Sequence, residues 1–113
     1  MEPRLATSVL VSALVRQAEA EGGFAAVLAR GDSTAGAILV ILTERGSKSA
    51  LYERALQQDG RYSWRPSHVQ GVESPDEVPA FVARRRRFDP DLWVLELDIP
   101  SIERFAAAMN AFD

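Results

Sequence analysis

Four consecutive arginines, Arg84 to Arg87, stand directly before an Asp-Pro-Asp triplet in the stretch ARRRRFDPDLWVLELD (83–98). Guanidinium groups recognise phosphates and carboxylates bidentately, so the run invites an anion-binding reading. On a helix, however, successive residues are about 100° apart, and four of them fan around most of the circumference instead of forming one basic face. Val78, Phe81 and Val82 define a buried stripe that continues onto Arg85, leaving Arg84 and Arg87 outward and Arg86 at the flank. Between 73 and 91 the four arginines also meet five carboxylates, Glu73, Asp76, Glu77, Asp89 and Asp91. The expectation is therefore a salt-bridged helix end, with its cations favourably placed against the macrodipole. Arg85 should be the most buried of the four. Asp89, one turn later, is its nearest candidate partner, with Glu96 or Asp98 as alternatives. The competing expectation is an anion or partner surface made of Arg84, Arg86 and Arg87 together with Arg45, Lys48 and the loop residues Gly31, Ser33 and Thr34.

Other residues with chemical potential have simpler readings. Asp89-Pro90-Asp91 has the carboxylate spacing of some metal-nucleotide sites, but Asp-Pro after a helix is a frequent turn former. The tripeptide Arg30-Gly31-Asp32 matches an adhesion motif that is common by chance. The loop from Gly31 to Gly36 joins two strands and lacks a following Gly-Lys-Ser/Thr, so it reads as a hairpin loop and not a phosphate cradle. His68 is the only histidine, which leaves no imidazole pair for a metal, and no nucleophile elbow accompanies it. Tyr62, Trp64 and Trp93 are read as packing residues, because the glycine-aromatic signatures of single-strand nucleic-acid binders are absent. No catalytic residue, cofactor site or metal site is assigned.

The elements that must position these residues fit one domain, since 113 residues bury roughly two-thirds of their unfolded surface around a single core. The absence of cysteine excludes disulfides and thiol chemistry and is compatible with a reducing cytoplasm, the expected location. A net charge of −3 works against a dedicated phosphate-backbone binder. Residues 5–15, LATSVLVSALV, followed by Ala18-Glu19-Ala20, imitate a secretory leader, but Arg16 interrupts the run. At helical spacing Val11, Leu14, Val15 and Ala18 form one stripe, with Ser8, Ser12, Arg16 and Glu19 opposite, so a packed helix retained in the mature protein is expected. No stretch reaches the roughly 20 apolar residues of a membrane span.

That first helix should run from Thr7 or Ser8, either able to cap it, to the Gly22-Gly23 stop. FAAVLA (24–29) and AILVILTE (37–44) are apolar at consecutive positions, which predicts strands covered on both faces. ALYERAL (50–56) is a more polar strand, and Asp59-Gly60 predicts a two-residue hairpin into a strand carrying Tyr62 and Trp64 on one face. A second helix should begin between Ser74 and Asp76 and end near Arg87. LWVLELD (92–98) is a strand whose Trp93 belongs to the core, and residues 100–112 form a last helix with Ile102, Phe105, Ala106 and Met109 inward. The fold class is α/β (α+β): a single domain with a mixed, about five-stranded sheet flanked by three helices in the order α-β-β-β-β-α-β-α. Strands one to four are expected as a meander with the fifth beside the first.

The blocks VSALVRQAEAEGGFAAVLARGDSTAGAILVIL (11–42) and ARRRRFDPDLWVLELD resemble an uncharacterised family of small bacterial proteins of about 115 residues, a domain of unknown function. The resemblance implies a complete bacterial protein and supplies no activity, cofactor or catalytic residue. The primary functional expectation is a non-catalytic domain acting through protein contacts or as an accessory factor. The alternative is a nucleotide or nucleic-acid binding module using the arginine cluster and the 31–36 loop, and a third, remote reading is a hydrolase built around His68. A protein partner or self-association is open; a membrane partner is not expected.

Overall fold

The computed structural model describes residues 6–56, 58–67 and 75–111. His68 and Ser74 lie outside them. Along the chain come α1 (Thr7–Ala20), β1 (Phe24–Ala29), β2 (Ile38–Glu44), β3 (Lys48–Leu56), β4 (Tyr62–Pro66), a 3-10 turn (Pro75–Glu77), α2 (Val78–Phe88), β5 (Trp93–Ile99) and α3 (Ile102–Ala111). The expected element order is observed, in one five-stranded mixed sheet with helices on both faces.

The sheet order is β1-β5-β2-β3-β4. β5 runs parallel to β2 and antiparallel to β1, so it lies between them. β1 and β2 thus form no hairpin, contrary to expectation. The reason is burial: β2 and β5 are the two strands with large aliphatic side chains on both faces, and the sheet centre is where both faces are covered. β1, whose six residues include three alanines, is displaced to the edge and leaves Phe24, Val27 and Leu28 exposed. The expectation that both its faces are covered fails for the same reason.

The 31–36 loop must step over the entry to β5 to reach β2. A Cβ at Gly31 would lie 1.9 Å from the Asp91 carbonyl oxygen, and one at Gly36 2.5 Å from the same atom, so only glycine fits at both positions. The Asp32 amide donates to that carbonyl at 3.0 Å, and the Trp93 indole Nε1 donates to the Asp32 carbonyl at 2.7 Å.

On one face, α1 contributes Leu10, Leu14 and Ala18 and α3 contributes Phe105 and Met109, over Ile38, Val40, Leu42, Trp93, Leu95 and Leu97. Each such aliphatic or aromatic side chain contributes roughly 1.5–3 kcal/mol by leaving water. On the other face, α2 packs Val78 and Phe81 over Leu39, Ile41 and Val94. Alternation along β5 explains the split: Trp93, Leu95, Leu97 and Ile99 face α1 and α3, and Val94 faces α2.

Four local expectations are corrected. Neither Thr7 nor Ser8 caps α1: their amides donate to the Thr34 and Ser33 carbonyls, and the buried Thr7 hydroxyl donates to the Gly36 carbonyl. The loop thereby supplies the acceptors that a side-chain cap would have provided. The β3-β4 connection is not a two-residue turn, since Leu56 pairs with Tyr62 across five residues. Gly60 takes a positive φ of 82°, and the Asp59 carboxylate accepts from the Arg61 amide. α2 begins at Val78, with Pro79 in its first turn, where the missing N–H costs no helical bond. β3 starts at Lys48, two residues early, because the turn closes over Arg45 and Gly46 with both at positive φ.

Candidate functional site

α2 lies over β2 and β3, and its last turn carries the arginines. Arg85 follows the Val78-Phe81 stripe toward the sheet and is 29% exposed in its side chain, whereas Arg84, Arg86 and Arg87 are exposed. Its partner is neither Asp89 nor Glu96 nor Asp98. It is Glu53 on β3, held by two parallel bonds of 2.6 and 2.8 Å. Glu53 pairs in register with Leu39, one of the residues under α2, which sets its carboxylate beneath the helix. Hydrogen bonding to Glu53 raises the Arg85 pKa above the ordinary arginine value; partial burial opposes the rise, and the charges of Glu53 and Asp89 add to it. The guanidinium also lies 5.9 Å from the Phe81 ring centre. Asp89 instead builds the following turn, its carboxylate accepting from the Asp91 amide at 3.1 Å.

The proposed anion surface is not brought together as one face. The 31–36 loop sits against Asp91 at the end of the sheet where β5 begins, near the α2 C-terminus. Its Thr34 and Ala35 amides, which a phosphate would need, already donate to the Asp32 carboxylate at 3.1 and 2.8 Å. Ser33 and Thr34 are exposed, and their carbonyls serve α1. Arg45 is at the other end of β2, about 20 Å away for a seven-residue strand. There it lines a hollow of about 450 Å³ with Glu21 and Asp98. Lys48 follows in the same turn, paired through its backbone with Glu44; its side chain is outside what the structure describes.

Two features escaped the sequence reading. The first is the β1 edge. It has no strand beyond it, its six residues are uncharged, and Phe24, Val27 and Leu28 are 76, 44 and 51% exposed. A register shift between Val27 and Ala29 marks a bulge that leaves Leu28 outside the ladder. The second is a groove of about 620 Å³ between α1 and β1, with Val11, Val15, Val27 and Trp93 as apolar walls. Ser8, Ser12, Arg16 and Arg30 supply its polar rim. Among the described residues, neither Arg16 nor Arg30 has a carboxylate partner; Arg30 lies 5.7 Å from the Trp93 ring centre. Arg16 was legible as part of the polar stripe of α1 with Ser8 and Ser12, and Arg30 only as part of a tripeptide; their meeting was not, because nothing local says which strand α1 will overhang.

Fold and surface together define a small three-layer α/β domain whose sheet ends in β4 on one side and in the apolar edge strand β1 on the other. The chain belongs to the protein family of unknown function DUF1491, whose model matches residues 5–107. It is similar to a DUF1491 family protein from Caulobacter crescentus CB15 solved by crystallography at 37% identity, covering 90% of this chain and 94% of that one with a TM-score of 0.78. The NMR structure of a DUF1491 family protein from the same organism gives 36% identity, 92 and 94% coverage and a TM-score of 0.78. A protein from A. tumefaciens, solved in solution, gives 37% identity, 91 and 92% coverage and a TM-score of 0.69. No curated protein matches the chain. Among the described residues, no helix is long and apolar enough to cross a membrane.

Proposed function

We propose that this is a non-catalytic bacterial domain of the cytoplasm that acts through protein contacts, and that its docking element is the open edge of β1. The observation that carries the reading is an uncharged edge strand with Phe24, Val27 and Leu28 exposed. Edge strands are ordinarily blunted with charge, proline or a covering segment, because their unpaired amides and carbonyls accept another strand. Here the only such device among the described residues is the bulge at Leu28. A partner adding an extended segment would gain ladder hydrogen bonds from the β1 backbone and apolar contact from the exposed side chains. Capture from the native host with wild-type protein and with the Phe24→Asp/Leu28→Lys double variant tests it. One partner polypeptide should be held by wild type and lost by the variant while both retain the same melting temperature. Equal capture by the two overturns the reading.

A second reading is supported by the exposure of Arg84, Arg86 and Arg87, none of which has an ion-pair partner among the described residues. It makes α2 an anion or nucleic-acid contact. Salt-sensitive binding of single-stranded RNA that Arg84→Ala and Arg87→Ala abolish would support it, and RNA binding unchanged by those substitutions would contradict it.

A further inference from the structure

We infer that the groove between α1 and β1 is a binding site for a small amphiphilic organic anion, a single carboxylate or phosphate carried on an apolar body. The inference does not require strand addition at β1, with which it shares only Val27.

The groove follows from two displacements. β5 occupies the position next to β2 and sends the alanine-rich β1 to the edge, so the flank of α1 overhangs the last strand of the sheet. On that flank the residues recur one turn apart in two lanes: Val11 and Val15 form an apolar lane, and Ser8, Ser12 and Arg16 form a polar one. Val27 is the opposite wall, and Trp93 closes the floor. A volume of about 620 Å³ falls among ordinary small-ligand sites.

The charge selects the ligand. Two guanidinium groups and no carboxylate line the groove, in a chain of net charge −3. Of the acids close in sequence, the Asp32 carboxylate accepts from the Thr34 and Ala35 amides, the Glu21 carboxylate accepts from the Gln17 side chain at 2.7 Å, and the exposed Glu19, one turn beyond Arg16, forms no ion pair with it. Among the described residues the Ser8 and Ser12 hydroxyls likewise have no protein partner, and can donate to the same anion. Arg30 stands over the Trp93 ring, which holds its guanidinium beside the apolar floor. A bare inorganic anion would leave the valine lane unused. A neutral apolar molecule would leave both arginines unused.

The test is isothermal titration with three probes: octanoate, 1-octanol and acetate. Octanoate should bind wild-type protein at one site, at least about tenfold more tightly than 1-octanol, with no saturable binding of acetate over the same range. The Arg16→Gln/Arg30→Gln double variant should weaken octanoate at least about tenfold and leave 1-octanol unchanged. Phe24→Asp, on the edge proposed for protein contact, should leave octanoate binding as in wild type. As a check that does not depend on a variant, octanoate should shift the backbone amide resonances of Ser12, Val15 and Val27 in wild-type protein. Absence of octanoate binding, equal binding by the double variant, acetate binding as tightly as octanoate, or amide shifts clustered elsewhere would each overturn the proposal.

Discussion

Arg85 and Glu53 form a bidentate pair in which each side chain is a little over a quarter exposed. Losing one partner strands the other's charge beside the α2 core. Arg85→Ala should therefore cost ~1–3 kcal/mol, whereas Arg84→Ala and Arg87→Ala should stay within ~0.5 kcal/mol of wild type. Denaturant unfolding of the three single variants checks this, and a Glu53→Gln/Arg85→Met cycle isolates the pair itself. The two tryptophans give a second comparison. The Trp93 indole donates to the Asp32 carbonyl at 2.7 Å, while the buried Trp64 Nε1 has no partner among the described residues. Replacing each with phenylalanine should cost about 1 kcal/mol more at position 93, measured by thermal unfolding. At this scale the sequence was partly readable. The extrapolated stripe singled out Arg85, and five apolar positions in LWVLEL singled out Trp93. Glu53 was invisible because it lies 32 residues away in the chain, and local spacing carries no information on such pairs.

Among the elements, the 31–36 loop and β1 depart most from a reading by pattern. Apolar residues at consecutive positions identify a strand but not its neighbours, since ladder hydrogen bonds are backbone bonds that any sequence can make. β1 and β2 look like hairpin partners until β5, more than fifty residues later, competes for the same edge of β2 with larger side chains. The glycines of the loop record the outcome. Gly31→Ala would press a methyl group into the Asp91 carbonyl, and should destabilise by about 1–3 kcal/mol or more with no change at any ligand site. Gly36→Ala should behave alike. Equilibrium unfolding with an unaltered melting temperature for both variants would show that the loop does not cross β5 as described. The helix ends were unevenly legible: Gly22 stops α1 as expected, whereas α3 begins at Ile102 and not with Pro100 in its first turn, because Ser101 caps it by accepting from the Arg104 amide at 3.2 Å.

For the whole molecule, the three-layer arrangement makes α1 indispensable. Leu10, Leu14 and Ala18 are fully buried against the central strands, so a chain beginning at Glu21 would uncover the part of that sheet face that α3 does not pack. Its far-ultraviolet and tryptophan signals should be those of an unfolded or aggregated protein. The layer architecture was legible because amphipathic helices and doubly apolar strands can bury their surfaces in few ways. The exposed surface was not, since it depends on which strand is left at the edge. Strand addition at β1 requires that this edge receive a partner polypeptide. The most direct measurement places a photo-crosslinking phenylalanine analogue at position 24, and separately at position 88, where Phe88 on α2 is still more exposed, in the native host. An adduct to one partner is expected from position 24, joined through an extended segment of that partner and absent from position 88. No adduct at 24, or the same adducts from both positions, would contradict it.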